Sequence, residues 1–359
     1  MIPVTRPFSP PIAEYIELIQ GIWERNWYTN NGPLVNKLES ELRKNFDCEN
    51  LLFLNNGTIA LQFAIKALSL DKEIITTPFS YVATTSSIVW EGCIPIFVDI
   101  NKDSFNIDPD LIESKITSKT QAILATHCFG NPCEIDKIES IANKHNIFVI
   151  YDAAHCFGTK YKGESIAKFG DISTISFHAT KLFHTIEGGA VFSNSKSIIE
   201  KISYLRNFGH DGFEKFNGVG INGKNSEFHA AMGLCNLKYT QQILSTRKEQ
   251  YLYYIELLKN TPIVLQKINA NTEYNYSYFP ILFQSEKDLK RVISALEKHQ
   301  IFPRRYFYPS LSSLNYIEKS KTPISDDIAS RIICLPLFHL LSKFEQELIA
   351  QLIRRNLNK

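Results

Sequence analysis

A lysine and an aspartate with unusual neighbours carry the first chemical signal in this chain. Lys181 closes Ser176-Phe177-His178-Ala179-Thr180-Lys181, and Leu182-Phe183 and then Gly188-Gly189-Ala190 follow it. Upstream, Asp152 stands in Tyr151-Asp152-Ala153-Ala154-His155, at the end of the apolar run Ile147-Phe148-Val149-Ile150-Tyr151. A single lysine is ordinarily a solvated charge, and an acid after a strand is often a helix cap. The surroundings argue otherwise. Phe177, Leu182 and Phe183 predict burial of the lysine, and desolvation lowers an amine pKa toward the reactive range. Such an amine forms a Schiff base with a carbonyl. A carboxylate beside a ring nitrogen keeps it protonated, so that the ring accepts a carbanion's electrons. Pyridoxal phosphate (PLP) needs both groups from its protein.

PLP also needs phosphate donors and a planar group on the ring face. Gly57-Thr58 opens a helix after the first strong strand, where amides and a hydroxyl bind phosphate; a plain glycine turn with its N-cap is the alternative reading. Ser176 is a further donor. Tyr81, in Thr77-Pro78-Phe79-Ser80-Tyr81, is a candidate to stack on the ring, against the alternative of a core aromatic. Gly188-Gly189 permits close backbone approach or a positive φ. No GxGxxG, Walker A, HExxH or GxSxG pattern is present.

The elements that must hold these residues alternate. Apolar, β-rich runs fall at Leu51-Leu54, Glu73-Thr76, Ile94-Val98, Ala122-Thr126, Ile147-Tyr151, Ile172-Ser176 and Ala190-Ser193. Helical patterns over 58–68, 83–90, 109–116 and 134–145 separate most of them. That order predicts an α/β fold with a mostly parallel central sheet and helices on both faces. Ligands bind such sheets at the carboxyl edge, where Asn55-Asn56-Gly57-Thr58, Tyr81, His127 and Asp152 all fall. Before the sheet, a proline-rich arm runs through Pro11, and helices are predicted over 12–27 and 34–46. After it, 226–258 reads as long helix with a break near Ser245. Strands at 277–283 and 302–306 and helices at 286–299 and 343–356 predict a smaller α+β C-terminal domain. The expected division is 1–235 for the large domain with its arm and 236–359 for the bridging helix and small domain.

Bulk composition agrees with two domains. The chain has 359 residues, 44% of them hydrophobic and 21% charged, with a net charge of +2 from 39 basic and 37 acidic residues. That balance implies no polyanion-binding surface, so no nucleic-acid partner. The seven cysteines are scattered, with neither a CxxC pair nor metal-ligand spacing, and read as reduced thiols with no metal. No apolar stretch reaches the length of a membrane span or signal segment, so a cytoplasmic location is expected.

With these residues assembled, the chain resembles the DegT/DnrJ/EryC1/StrS family of PLP-dependent sugar aminotransferases, within fold type I. Asn31-Gly32-Pro33 resembles the family's T-x-G-P element, and Gly57 to Leu61 its G-T-x-A-L. Asp152 to His155 resembles D-A-A-(H/Q), and Ser176 to Lys181 resembles S-F-H-x-x-K. Gly220-Ile221-Asn222-Gly223-Lys224 with Glu227 is similar to G-x-N-x-R…E, and Cys334-Leu335-Pro336-Leu337 contains the late L-P-L. The resemblance implies that Lys181 carries the Schiff base and shuttles a proton between substrate and cofactor. It implies Asp152 at the pyridine nitrogen and His155 against the ring or its 3-hydroxyl. Thr58, the Ile59 amide and Ser176 would hold the phosphate, and Asn222 would reach the phosphate of a neighbouring subunit, making a homodimer with shared active sites. Lys224 stands where the family often has arginine. Relatives that replace the lysine with histidine are dehydratases, and Lys181 argues against that branch.

The resemblance further implies L-glutamate as amino donor and a nucleotide-linked keto sugar as acceptor. The S-F-H-A-T-K and T-I-E-G-G-A wording is similar to members acting at C4, whereas C3-acting members tend to read S-F-Y-P-x-K. The expected acceptor is dTDP-4-keto-6-deoxyglucose, giving a 4-amino-4,6-dideoxy sugar for O-antigen or a related glycan. UDP- or GDP-linked 4-keto sugars, C3-keto sugars, a PLP lyase and a non-catalytic PLP-fold regulator are the alternatives. Candidate substrate-side residues are Trp27, Tyr28, Asn30, His178, His184, Lys224, Tyr306 and Tyr308.

Overall fold

The computed structural model describes residues 1–357. Its centre is a seven-stranded sheet in the order Leu51–Leu54, Gly189–Phe192, Ile172–Ser176, Phe148–Asp152, Thr120–Thr126, Glu73–Thr76, Ile94–Phe97. Gly189–Phe192 runs antiparallel to both of its neighbours. The remaining pairings are parallel. Leu51–Leu54, Ile172–Ser176 and Gly189–Phe192 are apolar or buried along almost their whole length, as strands covered on both faces must be. Helices Gly57–Ala67 and Lys196–Leu205 cover one side, with Ala60, Phe63, Ile65 and Ile202 in one core. The other side holds helices Pro33–Asn45 and Glu227–Leu237, sharing a core with Phe53, Phe177 and Phe183.

Two sequence-distant pieces lock together on that second side. Helix Pro33–Asn45 has no side-chain cap of its own. Instead the fully buried Glu227 carboxylate accepts the amides of Leu34 at 3.0 Å and Val35 at 2.8 Å, and Arg25 Nη2 lies 3.6 Å from it. A carboxylate at a helix N-terminus satisfies orphan donors and complements the helix dipole. A β-carbon on Gly32 would lie 2.6 Å from the Glu227 side chain, so only glycine leaves room for the acid.

The predicted helix over 226–258 is two helices, Glu227–Leu237 and Thr240–Leu258. The break falls at Lys238-Tyr239, not near Ser245. Glu14 of helix Ile12–Arg25 bonds Lys238 Nζ at 2.6 Å and also holds the Tyr239 hydroxyl, so a tertiary tether sets the break. Thr240–Leu258 leads to the C-terminal layer, a three-stranded antiparallel sheet of Val264–Leu265, Phe279–Leu282 and Ile332–Leu335. Helices Glu286–Glu297 and Lys343–Leu357 pack with it around Phe279, Ile281, Leu289 and Ile353. The expected strand over 302–306 is only Ile301–Phe302, which pairs in parallel with Ile2–Pro3. The arm therefore starts on the small layer, and the Leu337 amide donates to the Val4 carbonyl at 3.0 Å.

Asp99 fastens the two layers. Its carboxylate accepts the Ile324 and Ser325 amides and the Ser325 hydroxyl, at 2.8, 2.8 and 2.6 Å. It thereby caps helix Pro323–Arg331 from the loop that follows the edge strand Ile94–Phe97. Among the described residues no helix is long and apolar enough to cross a membrane, and no group of three or more His, Cys, Asp or Glu side chains is placed to hold a metal ion.

Candidate active site

At the carboxyl edge of the sheet lies a cavity of about 350 Å³, lined from the central sheet and from the C-terminal layer. Asp152, the last residue of its strand, is 6% exposed. Its Oδ2 accepts the Thr84 hydroxyl at 2.7 Å and its Oδ1 the Ala154 amide at 3.1 Å. Burial pushes its pKa up, while those two hydrogen bonds and the Lys181 charge pull it down. Lys181 sits in the turn after Ile172–Ser176 and opens onto the same cavity. Its Nζ is 3.5 Å from the Tyr278 hydroxyl. Burial lowers its pKa to about 8, against the opposing pull of Asp152, so a neutral amine is accessible near physiological pH.

The other end of the cavity is the start of helix Gly57–Ala67, with Gly57, Thr58 and Ser176 on the wall. A β-carbon on Gly57 would reach 3.0 Å from Ser176 Cβ. On Gly189 it would lie 2.6 Å from the Asn56 carbonyl and 2.7 Å from the Gly57 nitrogen. Neither Gly188 nor Gly189 has positive φ, so the pair serves close approach: the antiparallel strand presses directly against this helix N-terminus. The Ile59 amide, expected among the phosphate donors, has a partner within the chain. It donates to the Asn56 side chain at 2.8 Å, because Asn56 is the helix N-cap.

His155 lies on the wall beside Phe129 and Phe307, the three ring planes nearly parallel and their centroids 5.5–6.3 Å apart. Its Nδ1 accepts the Phe129 amide at 3.2 Å, and burial pushes its pKa well down, so the ring is neutral. Tyr81, His178 and Tyr306 also face the cavity.

The other expected substrate-side residues stand elsewhere in the chain. His184 is buried behind the wall, with Nε2 bonded to the Phe8 carbonyl at 2.7 Å and Asn236 donating to its carbonyl at 2.8 Å. It ties down the N-terminal arm, and the turn after Lys181 points it away from the cavity. Tyr28 stacks on Phe228 at the surface, and the Trp27 indole bonds the Thr29 carbonyl at 2.6 Å. Asn30 is an exposed turn residue with φ of 59°. Lys224 Nζ bonds Asn207 at 2.6 Å and lies over the Phe208 ring. Asn222 is exposed beside it, and Tyr308 packs under the Arg305 guanidinium.

Sequence reasoning missed the contribution of Tyr278, Arg304 and Phe307 from the C-terminal layer. Apart from Lys181, Arg304 is the one lysine or arginine on the wall among the described residues. The hydroxyls of Ser80, Thr84 and Thr126 in a line from Asp152 were also missed. Thr84 sits just past the motif-like Thr77 to Tyr81 segment, which was the available signal for it.

These residues fit pyridoxal phosphate. A part-buried amine and a buried carboxylate share one cavity, and a helix N-terminus with a glycine where a side chain would intrude closes its end. The fold and site together define a PLP-dependent aminotransferase of fold type I. A family model, the DegT/DnrJ/EryC1/StrS aminotransferase family, matches residues 12–354. A dTDP-4-amino-4,6-dideoxy-D-glucose transaminase of Shigella dysenteriae is 44% identical over 98% of this chain and 98% of its own. One of the same name from Escherichia coli is 39% identical over 100% of this chain and 98% of its own. The crystal structure of DesI in the presence of its TDP-sugar product superposes with a TM-score of 0.93 at 28% identity, covering 99% of this chain and 92% of that one. The chain belongs to the DegT/DnrJ/EryC1/StrS aminotransferase family, and its cofactor is pyridoxal phosphate.

Proposed function

We propose that this enzyme moves the amino group of L-glutamate to C4 of dTDP-4-keto-6-deoxyglucose, giving dTDP-4-amino-4,6-dideoxyglucose in the cytoplasm for a surface glycan. The observation that carries the reaction class is Lys181 and Asp152 on one cavity wall, with the helix N-terminus at its end. The acceptor follows from the two transaminases of that name at 44% and 39% identity, matched end to end, and from DesI with its TDP-sugar product.

Bound PLP would supply an electron sink that makes the carbon–hydrogen bond beside the donor's amino group acidic. In this reading Asp152 holds a positive ring nitrogen, and Gly57, Thr58 and Ser176 hold the phosphate. His155 and Tyr81 border the ring. Lys181 Nζ, neutral near its lowered pKa, takes a proton from one carbon and returns it to another. Arg304 gives the donor's carboxylate a cationic partner. The wall is otherwise largely aromatic on the small-domain side, through Tyr278, Tyr306 and Phe307, which keeps water from the reacting carbon.

A second copy completes the working unit. The 208–221 loop carries Phe208, Phe213, Phe216, Val219 and Ile221, all exposed in the single chain, and Asn222 at its end would reach the neighbour's phosphate.

The decisive experiment incubates purified protein with PLP, glutamate and a panel of dTDP-, UDP- and GDP-linked keto sugars, with product masses and C3 or C4 substitution read by mass spectrometry and NMR. The C4-aminated dTDP sugar is expected, with none from Lys181→Ala and a KM for glutamate raised at least tenfold in Arg304→Gln. Preferential turnover of another acceptor would overturn the substrate assignment. Turnover by Lys181→Ala would overturn the mechanism, and an unmoved glutamate KM would remove Arg304 from it.

A further inference from the structure

Three hydroxyl groups run in a line from Asp152, and Ser80 and Thr126 also border the cavity. Thr126 Oγ1 and Ser80 Oγ are 3.0 Å apart, Ser80 Oγ and Thr84 Oγ1 are 2.7 Å apart, and Thr84 Oγ1 is 2.7 Å from Asp152 Oδ2. They come from separate pieces of chain: the strand beside Asp152, the turn before helix Val82–Trp90, and that helix itself. All three are essentially buried, with exposures of 3, 1 and 0%.

The direction of the line follows from counting protons. A hydroxyl has one hydrogen to give. An ionised Asp152 only accepts, so Thr84 spends its hydrogen there. Thr84 must then accept from Ser80, and Ser80 from Thr126. Every member is polarised the same way, and such chains strengthen bond by bond in a low-dielectric interior. The geometry points to a directional hydroxyl relay, Thr126 to Ser80 to Thr84, that holds the Asp152 carboxylate ionised and aimed into the cavity. Ser80 and Thr126 act through Thr84 and are positioning residues, although neither touches the acid.

The relay opposes burial. The titratable groups around Asp152 are Lys181 across the cavity and the thiols of Cys128, Cys133 and Cys156, all buried. His127 and His155 lie on the adjoining turns, both held neutral by burial. Lys181 is therefore the one cation among them, and a neutral lysine leaves the negative carboxylate supported by the Thr84 hydroxyl, with the line behind it, and by the Ala154 amide. A carboxylate too weakly supported draws the proton off the pyridine nitrogen it should hold. The relay leaves that proton on the ring.

This role rests on the PLP reading only for its consequence, since the relay is a property of the chain itself. The test titrates the Asp152 side-chain carbon by NMR in full-length, cofactor-free protein labelled at aspartate, with the resonance assigned by its loss in Asp152→Asn. Thr84→Val is expected to raise the carboxyl pKa by about one unit, and Ser80→Ala and Thr126→Val to raise it by successively less. Thr84→Ser restores the parent value. The double variant Ser80→Ala/Thr84→Val matches Thr84→Val alone, because a severed relay has nothing left to lose. In holoenzyme carrying pyridine-15N PLP, the ring nitrogen resonance of Thr84→Val and Ser80→Ala shifts toward the unprotonated position. An unmoved titration in Ser80→Ala, or strict additivity in the double variant, sinks the relay. Should Thr84→Val fail to fold, Ser80→Ala and Thr126→Val decide alone. A normal carboxyl response with an unresponsive ring nitrogen would instead refute Asp152 as the pyridine partner.

Discussion

At the scale of single residues, the site turns on one amine that loses its proton more readily than an ordinary lysine. Lys181 has a pKa near 8 in the cofactor-free protein against an ordinary 10.5. Between about pH 8 and 10.5 the unfolded chain then binds a proton that the folded chain does not, so this residue's contribution to stability rises with pH across that window. The cost of burying the charge is fully present below pH 8, and at most about 3 kcal/mol of it is relieved by pH 10.5. Urea denaturation at pH 7.5 and 9.5 should show a gain for the wild type that Lys181→Ala lacks. Capture of PLP by the wild type should accelerate with a midpoint close to pH 8. Equal pH responses of the two proteins would mean the amine is charged in the native state. The places of Lys181, Asp152 and Ser176 on the cavity wall could be read in sequence because their apolar neighbours betray burial, and that of the exposed Thr58 because Gly57 opens a helix just after a strand. His184 misled for the same reason: nearness to Lys181 along the chain says nothing about which side of the turn a side chain leaves. Arg304 and Tyr278 had no local signal, because their proximity to Lys181 is created by domain packing.

Among the elements, the short strands were legible as continuous apolar runs, and most boundaries moved by a residue or two. Helix Lys196–Leu205 went unread. So did the hairpin of Lys160–Tyr161 and Glu164–Ser165 that Thr272–Glu273 joins, since two-residue strands carry no period. The helix break at Lys238-Tyr239 was misplaced because the two residues are ordinary helix formers and Glu14, more than two hundred positions away, imposes it. The antiparallel strand Gly189–Phe192 gives the clearest element-level prediction. Gly189→Ala would push its β-carbon into the Asn56-Gly57 peptide, moving the helix start that faces the phosphate. Overpacking of this kind costs about 1–3 kcal/mol, so PLP affinity should fall about tenfold or more. Fluorescence titration of cofactor-free protein reads it directly, and unchanged affinity would show that the helix start gives way at no cost.

For the molecule as a whole, the cavity exists because two layers meet over it. The large layer brings the amine, the carboxylate and the helix N-terminus, and the small layer brings Tyr278, Arg304, Tyr306 and Phe307. Asp99 is one polar fastener between them. Asp99→Ala leaves the two amides and one hydroxyl of residues 324 and 325 without their acceptor, at a cost of about 2 kcal/mol or more. Hydrogen exchange should quicken across 323–331, and the KM values of both substrates should rise while bound PLP keeps its spectrum. Exchange unchanged at those amides would show that apolar packing alone aligns the layers.

The union of Gly32 with Glu227 carries a consequence for inheritance. The two positions lie far apart in the gene, yet one has no side chain because the other has this one. Recombination between relatives that divides the gene anywhere between them can pair a bulkier residue with the acid, or a shorter acid with an uncapped helix. Segments 25–45 and 222–237 should therefore be exchanged together when chimeras are built to change what this enzyme accepts.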